Sequence, residues 1–199
     1  MRRNFFTRTL NCAAEQVLNQ EKPIMSNLNG KVAIVTGASR GVGAAIAERL
    51  ATEGASVIVN YSGSEARANE VAQSIASNGG KAKALRANLR DPAAIKRLFN
   101  ETLKTFGQLD ILVNNAGTFA LKSLEESAEE DFDETFDLNV RAVFLAAREA
   151  ARSMNEGGRI INIGSVNGDR MPYTGGAMYG ASKAAVFSLY WQSNHLFRA

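Results

Sequence analysis

Residues 32–50 read VAIVTGASRGVGAAIAERL, and this stretch decides the fold. The apolar run VAIVT predicts a buried strand, and the spacing of apolar residues over 42–52 predicts a helix directly after it. The loop between them carries glycines in the order Gly-x-x-x-Gly-x-Gly. Such a turn brings backbone N–H groups and the positive end of a helix dipole towards a phosphate. The commoner Gly-x-Gly-x-x-Gly is not matched, so a simple tight turn is the alternative.

The same alternation of strand and helix continues along the chain. Further strands are predicted at residues 56–61, 81–87, 110–115 and 159–164, and helices at 64–77, 92–106 and about 134–154. Nearly continuous apolar strands favour a parallel sheet that is covered on both faces. Right-handed crossovers then give an α/β fold, a doubly wound Rossmann-type sheet. Asp91-Pro92 is typical of a helix start, and Gly54, Gly79 and Gly107 of helix ends.

The amino-acid composition limits the classes of reaction and of binding site that the protein can contain. The 199 residues are 45% hydrophobic and 22% charged, as in one soluble globular domain. The only histidine, His195, and the only cysteine, Cys12, lie near opposite ends of the chain. Zinc sites and His-dependent hydrolases need more such residues, so we expect no metal site. A single thiol excludes an internal disulfide framework and favours a reducing, cytoplasmic location.

The net charge of +3 does not indicate a nucleic-acid partner. Two of these charges belong to residues 1–24, and the remainder is close to neutral, without a basic stripe for DNA or RNA. No apolar run approaches the length of a membrane span. The early arginines resemble a transit peptide, but we favour an upstream extension with Met25 as the true start. Residues 1–24 are expected to be poorly ordered, and residues 25–199 to form one domain.

The end of the second strand bears on which nucleotide is bound. An acid about twenty residues after the glycine loop usually accepts the adenosine ribose hydroxyls, but here the strand ends Asn60-Tyr61-Ser62. Arg40 lies inside the glycine loop, where its guanidinium could pair with a phosphate on that ribose. Both features favour NADP(H) over NAD(H). An ordinary solvated surface charge is the alternative for Arg40.

The stretch from Tyr179 to Lys183 carries a second constellation. Residues four apart share a helix face, so the phenol and the ammonium project together. A fixed cation favours the phenolate, which suits Tyr179 to general acid catalysis, although such pairs also occur by chance. Ser165 follows the fifth strand, and Asn114-Asn115 end the fourth. Open α/β sheets bind ligands at these carboxyl ends of their strands.

These motifs stand in the order of a known family. Thr36-Gly-x-x-x-Gly-x-Gly, Asn114-Asn-Ala-Gly, Asn139, Ser165 and Tyr179-x-x-x-Lys183 together resemble the short-chain dehydrogenase/reductase family over about residues 28–189. The resemblance implies hydride transfer between NADP(H) and a carbonyl or alcohol substrate. It implies that Tyr179 donates the proton, Ser165 positions the carbonyl, Lys183 holds the nicotinamide ribose and Asn139 supports a water relay.

The resemblance also implies which residues contact the cofactor. They are Gly37, Ser39, Arg40, Gly41, Val42, Gly43, Asn60, Tyr61, Ser62, Asn88, Leu89, Asn115, Ala116, Gly117, Tyr179 and Lys183. Asn88 stands where the family usually has Asp, and its amide oxygen can still accept from the adenine amino group. Much of the rest of the chain resembles 3-oxoacyl-[acyl-carrier-protein] reductases and broad-range sugar or alcohol dehydrogenases.

Two features keep alternatives open. The stretch SVNGDRMP at 165–172 resembles a bacterial subgroup that includes a cyclic-dinucleotide-binding mediator of biofilm dispersal. After Leu189 the family pattern adds further strands, which this chain lacks, so we expect a C-terminally truncated sheet. A weak or inactive relative that retains nucleotide binding is therefore the second alternative. An uncovered sheet edge predicts lower stability and self-association, and the family's long helices imply a homo-oligomer, either dimer or tetramer.

Overall fold

The computed structural model describes residues 28–172 and 174–193, the last four of them as helix backbone only. The disorder expected for residues 1–24 lies outside the described residues. Five parallel strands form one sheet in the order β3-β2-β1-β4-β5, which confirms the doubly wound fold. The strands are β1 (Val32–Val35), β2 (Ser56–Tyr61), β3 (Lys81–Arg86), β4 (Ile111–Asn114) and β5 (Arg159–Asn162).

Helices cover both faces of this sheet. They are α1 (Gly41–Thr52), α2 (Glu65–Ser77), α3 (Pro92–Phe106), α4 (Glu129–Phe136), α5 (Ala142–Ser153) and α6 (Ala177–Ser193). Alternate residues of β1 enter two separate apolar layers, as the pleat of a strand requires. Val35 packs with residues of α1 and α2, whereas Ile34 packs with residues of α3 and α5. The central strands are thus buried on both faces, and functional side chains are left to the strand ends.

The helix ends follow the sequence signals. The Asp91 carboxylate accepts a hydrogen bond of 2.8 Å from the Ala93 N–H, with Pro92 as the first helical residue of α3. That helix ends at Gly107, which has a left-handed φ of 81°. Gly54 and Gly79 also have positive φ values after α1 and α2. These caps determine where each helix begins or ends and where the chain continues towards the next element.

The helix predicted at about 134–154 is different in the structure. It begins earlier, at Glu129, and a π-helical turn over Asp137–Arg141 separates α4 from α5. The early start has a local cause, because Asp131 accepts from the Ala128 N–H at 3.0 Å and the first turn is acidic. The predicted strands at 32–36, 81–87, 110–115 and 159–164 are one or two residues shorter at their ends.

Candidate active site

Thr36 joins the carboxyl ends of β1 and β4. Its hydroxyl donates to the Val113 carbonyl at 3.2 Å and accepts from the N–H groups of Asn115 and Ala116 at 2.9 and 3.0 Å. The Asn115 side-chain amide donates back to the carbonyls of Thr36 and Gly37 at 2.9 and 3.2 Å. Two loops that are far apart in sequence are therefore fixed against each other at one edge of the sheet.

The glycines of the first loop are required by close approach and backbone shape. Gly37 has a φ of 63°, and a methyl group there would lie 2.9 Å from the Ala116 Cα. A methyl group at Gly43 would lie 2.5 Å from Asn115 Nδ2. Gly41 also has a positive φ, of 59°, but no atom lies within 4 Å of its Cβ position. The space at the start of α1 is therefore open to a ligand.

Asn60 holds the second side of this region. Its amide oxygen accepts from the Gly37 N–H at 3.3 Å, and its amide nitrogen donates to the carbonyls of Leu85 and Ala87. Only 1% of Asn60 is exposed, so its side chain serves to join the loops after β1, β2 and β3. The next residue, Tyr61, is also buried, whereas Ser62 is exposed and its carbonyl accepts from Arg86 Nε at 3.0 Å.

These loops enclose a cleft of about 470 Å³ along the carboxyl ends of β1 to β4. Arg40 and Arg90 are the charged residues among the described residues that line it. A cleft that carries cations without carboxylates favours an anionic ligand. Most predicted cofactor contacts lie along it: Gly37, Ser39, Arg40, Gly41, Asn60, Tyr61, Ser62, Asn88, Leu89, Asn115, Ala116 and Gly117.

Two predicted contacts, Val42 and Gly43, directly follow the lining residue Gly41, and two of the lining residues, Asn88 and Leu89, differ in exposure. Val42 and Gly43 form the first turn of α1, where Val42 is 64% exposed. Leu89 is buried in the apolar layer below the cleft. The exposed Asn88 uses its side-chain oxygen to accept from the Arg90 N–H at 3.2 Å. The glycine loop, open space and cationic lining thus fit a phosphate-bearing dinucleotide.

Lys183 connects helix α6 to the cleft. Its Nζ lies 3.8 Å from the Cβ position of Gly117, which lines the cleft, and 5.9 Å from the centre of the Tyr179 ring. The Lys183 ammonium donates to the Ile163 carbonyl at 2.7 Å, which leaves two of its three donors for other partners. Burial lowers the pKa of Lys183. The structure therefore brings the predicted pair Tyr179 and Lys183 to one end of the cleft.

Asn139 lies in the π-helical turn and is almost fully buried. Its side-chain oxygen accepts from the Thr118 N–H at 2.8 Å, and its nitrogen donates to the Thr118 carbonyl and to Ser182 Oγ, both at 3.0 Å. Ser182 Oγ in turn donates to the Tyr179 carbonyl at 2.7 Å. A short hydrogen-bonded chain therefore links the loop after β4 to helix α6.

Ser165 lies at the carboxyl end of the fifth strand, as predicted, and starts a short 3-10 turn. Its hydroxyl oxygen accepts from the Asn167 N–H at 3.2 Å. This turn packs on α6, because methyl groups at Gly168 and Gly180 would lie 2.8 Å from Lys183 C and 2.9 Å from the Asn167 carbonyl. The packing places Ser165 on the same side of the sheet as Tyr179, although no hydrogen bond between their hydroxyls is seen.

The sequence did not identify three residues that organise this site. Thr36 and Ser182 stand inside recognised motifs, but their roles depend on partners about 80 and 43 positions away. Phe119 packs edge-on against Tyr179, with ring centres 4.7 Å apart. A large apolar residue five positions after Asn114, the polar end of β4, was the one available signal for Phe119.

The fold and this cleft define a Rossmann-type α/β protein with its site at the carboxyl ends of parallel strands. The chain belongs to the short chain dehydrogenase family, whose model matches residues 31–195. It is 46% identical over 162 residues to an uncharacterized oxidoreductase of Methylorubrum extorquens, which covers 81% of this chain and 65% of that protein. It is 47% identical over 160 residues to the hydroxynaphthalene reductase-like protein Arp2 of Metarhizium robertsii, covering 80% and 60%.

Solved structures agree with this membership. A dehydrogenase/reductase from Sinorhizobium meliloti has 48% identity and a TM-score of 0.82, covering 83% of this chain and 66% of that one. A short chain dehydrogenase from Burkholderia cenocepacia in complex with NADP has 47% identity and a TM-score of 0.80, covering 81% and 66%. The landomycin C-6 ketoreductase LanV, with bound NADP and rabelomycin, has 42% identity and a TM-score of 0.80, covering 85% and 72%.

The chain spans 60 to 65% of the length of these curated relatives. No helix of the described residues has the length and apolar character to cross a membrane. Within the same part of the chain, no group of three or more His, Cys, Asp or Glu side chains is arranged to hold a metal ion.

Proposed function

We propose that this protein is an oxidoreductase that transfers hydride between NADP(H) and a carbonyl or alcohol substrate. The observation that carries the proposal is the position of Lys183, whose Nζ lies 3.8 Å from the Cβ position of Gly117 in the cleft and 5.9 Å from the Tyr179 ring centre. One side chain thus lies beside both the nucleotide cleft and the proton donor. The reported relatives are named as oxidoreductases, reductases or dehydrogenases, which favours this activity over a binding protein for a cyclic dinucleotide or an inactive nucleotide binder.

The residues of the cleft would hold the cofactor in a defined order. The backbone N–H groups at the start of α1 would receive the pyrophosphate, because the open space at Gly41 meets the positive end of a helix dipole there. The two free donors of Lys183 would bind the nicotinamide ribose hydroxyls. When bound, the cofactor supplies or accepts the hydride.

The proposed catalytic residues would orient the carbonyl group and supply its proton. Tyr179 would donate its phenolic proton to the carbonyl oxygen, while the Ser165 hydroxyl donates a hydrogen bond to the same oxygen and orients it. The buried Lys183 ammonium would stabilise the phenolate that remains. Asn139 would hold the Thr118 backbone next to this pair and support the return of a proton from solvent.

The preference for NADP(H) over NAD(H) rests on charge. Arg40 is exposed at the mouth of the cleft, and the end of β2 carries Tyr61 and Ser62 in place of a carboxylate. A guanidinium there can bind the additional ribose phosphate, and the described residues that line the cleft include no carboxylate to repel it. The nearby Glu65 carboxylate lies outside this lining and accepts a hydrogen bond from the Tyr61 side chain. The NADP in the Burkholderia and LanV complexes supports the same cofactor for this chain.

We also propose a cytoplasmic homo-oligomer. A groove of about 930 Å³ between α4, α5 and α6 is lined by apolar side chains that include Phe132, Phe136 and Phe144, with Asp133 and Arg148 beside them. An apolar surface with charges of both signs suits a symmetric contact between two copies. Sedimentation velocity should give a dimer or tetramer, and a monomer at high protein concentration would reject this assembly.

NADPH oxidation in the presence of a ketone tests the activity. The wild-type protein should oxidise NADPH with at least one member of a panel of ketones, aldehydes and acyl thioesters. Tyr179→Phe should lower kcat by about a thousandfold, within the range of general acid catalysis, while the Kd for NADPH measured by fluorescence stays within about twofold. Equal kcat values for the wild-type protein and Tyr179→Phe would show that Tyr179 is not the proton donor.

A further inference from the structure

A half-exposed phenylalanine contacts the proposed proton donor. The ring of Phe119 meets the ring of Tyr179 edge-on, with centres 4.7 Å apart and planes at 86°. Half of Phe119 remains exposed. It follows Gly117 and Thr118 directly, and these residues lie against Lys183 and Asn139. The exposed face of Phe119 therefore lies beside the groups that would handle the carbonyl.

The segment that carries Phe119 is held in place by hydrogen bonds of its own. The Lys122 N–H donates to the Gly175 carbonyl at 2.9 Å, and Lys122 Nζ contacts both Asp131 oxygens at 2.7 Å. Thr118 is bound at both backbone groups by Asn139. Phe119 is thus positioned before any substrate arrives, and a preformed apolar face loses less freedom on binding than a mobile one.

Other exposed apolar side chains lie next to Ser165 and Phe119 in the sequence. Val166 follows Ser165 directly and is 83% exposed, and Leu121 in the Phe119 segment is 55% exposed. Large apolar side chains gain free energy when they are covered. The polar hydroxyls of Ser165 and Tyr179 are therefore accompanied by apolar surface from two loops, which suits a substrate whose carbonyl is attached to an apolar group.

We propose that Phe119 is a specificity-determining residue that packs against an aromatic ring next to the reacting carbonyl, so that aryl ketones and aryl aldehydes are the preferred substrates. The inference rests on the proposed function and names the substrate class of the same site. Aromatic rings in edge-on or offset contact gain free energy beyond the area that they bury. A linear alkyl ketone of equal size lacks that gain and also loses rotamer freedom when it is ordered.

The test compares two ketones with the same number of carbons, α-tetralone and methyl octyl ketone, at saturating NADPH. Phe119→Ala should raise the KM for α-tetralone about tenfold, which corresponds to about 1.4 kcal/mol, and change the KM for methyl octyl ketone by less than about threefold. Phe119→Tyr keeps the ring and should restore the wild-type KM for α-tetralone. The matched control is Phe187→Ala, the same change at a phenylalanine that is 65% exposed and lines neither the cleft nor the helical groove, with both KM values unchanged.

Calorimetric titration of each ketone into the protein loaded with NADP⁺, which cannot transfer hydride to a ketone, separates the two proposals. If no member of the full panel, these two ketones included, is turned over, the proposed function fails, and the ketone affinities still decide the role of Phe119. Equal effects of Phe119→Ala on the two ketones, or none on α-tetralone, would overturn the inference. A tenfold weaker binding of α-tetralone alone, with the Tyr variant restored, would support it.

Discussion

At the scale of single residues, the site depends on side chains whose polar atoms are almost all hydrogen-bonded to other groups of the protein. Asn139 makes three hydrogen bonds and Asn60 joins three loops, so each fixes a backbone group. Arg40 differs, because it lies exposed in the cleft with space beside it. The fixed residues give the site its shape, and Arg40 is left to recognise the ligand.

Arg40 should therefore control the choice of cofactor. Arg40→Ala removes a charge-assisted contact to the ribose phosphate, which is worth about 1.5–3 kcal/mol. We expect the KM for NADPH to rise by about tenfold or more, while the KM for NADH changes by less than about twofold. Arg152→Ala, the same change on the exposed end of α5, serves as the control. Equal effects of Arg40→Ala on both cofactors would contradict this assignment.

Ser182 should support catalysis through the residues that it holds. Ser182→Ala leaves the buried Asn139 amide without its partner on α6, which costs about 1–3 kcal/mol in the free energy of unfolding. Because the same hydroxyl also bonds to the Tyr179 carbonyl, we expect kcat to fall more than NADPH affinity. Chemical denaturation, kcat and fluorescence titration measure the three quantities. Ser77→Ala at the exposed end of α2 is the control, and an unchanged kcat for Ser182→Ala would reject the coupling.

Sequence reasoning reached part of this residue-scale picture. The four-residue spacing from Tyr179 to Lys183 is a local property of a helix, so it could be read directly. Ser182 and Phe119 act through contacts with Asn139 and Tyr179 that only the folded chain creates. Their roles therefore stayed out of reach of the sequence, although each lies close to a recognised motif.

At the scale of elements, local signals placed the helix caps well and the long helix poorly. Asp91, Pro92 and Gly107 act within one or two turns, so α3 has the predicted bounds. The predicted helix at 134–154 is instead divided by the π-helical turn at Asp137–Arg141. An inserted residue of this kind is stabilised by the bonds of Asn139 to Thr118 and Ser182, which the periodicity of the helix does not contain.

Asp110 joins the starts of the central strands and should make stability depend on pH. Burial raises the pKa of Asp110, but hydrogen bonds from Lys31, the Val32 N–H and Gln108 together lower it below the usual value. At pH values between the lowered pKa and the usual pKa of an aspartate, the folded protein therefore binds fewer protons than the unfolded chain. Its carboxylate therefore adds stability above about pH 4, and this contribution is lost as the pH falls through the lowered pKa.

The corresponding variant is Asp110→Asn. At neutral pH it should lose about 1–3 kcal/mol of the free energy of unfolding, because an amide replaces an acceptor that is surrounded by donors. The difference from the wild type should shrink as the pH is lowered below about 4. Urea denaturation at several pH values checks this, with Glu70→Gln, the corresponding acid-to-amide change at an exposed position of α2, as control. A difference that is independent of pH would show that Asp110 does not act through its charge.

At the scale of the whole molecule, the sheet order β3-β2-β1-β4-β5 brings five separate loops to one edge. This topology was predictable, because alternating strands and helices with right-handed crossovers leave few arrangements. The groove between α4, α5 and α6 was not predictable from the sequence, because it depends on how the three helices pack. The sequence therefore indicated where a nucleotide would lie, and packing determined which surfaces remain open.

The central claim is that NADPH in this cleft reduces a carbonyl whose proton comes from the catalytic helix. Reduction of α-tetralone with NADPH deuterated at the transferred position of the nicotinamide tests it most directly, with the alcohol product analysed by mass spectrometry. We predict one deuterium on the former carbonyl carbon in the wild-type product and almost no product with Tyr179→Phe. A wild-type alcohol without deuterium, or equal product from the Phe variant, would contradict the claim.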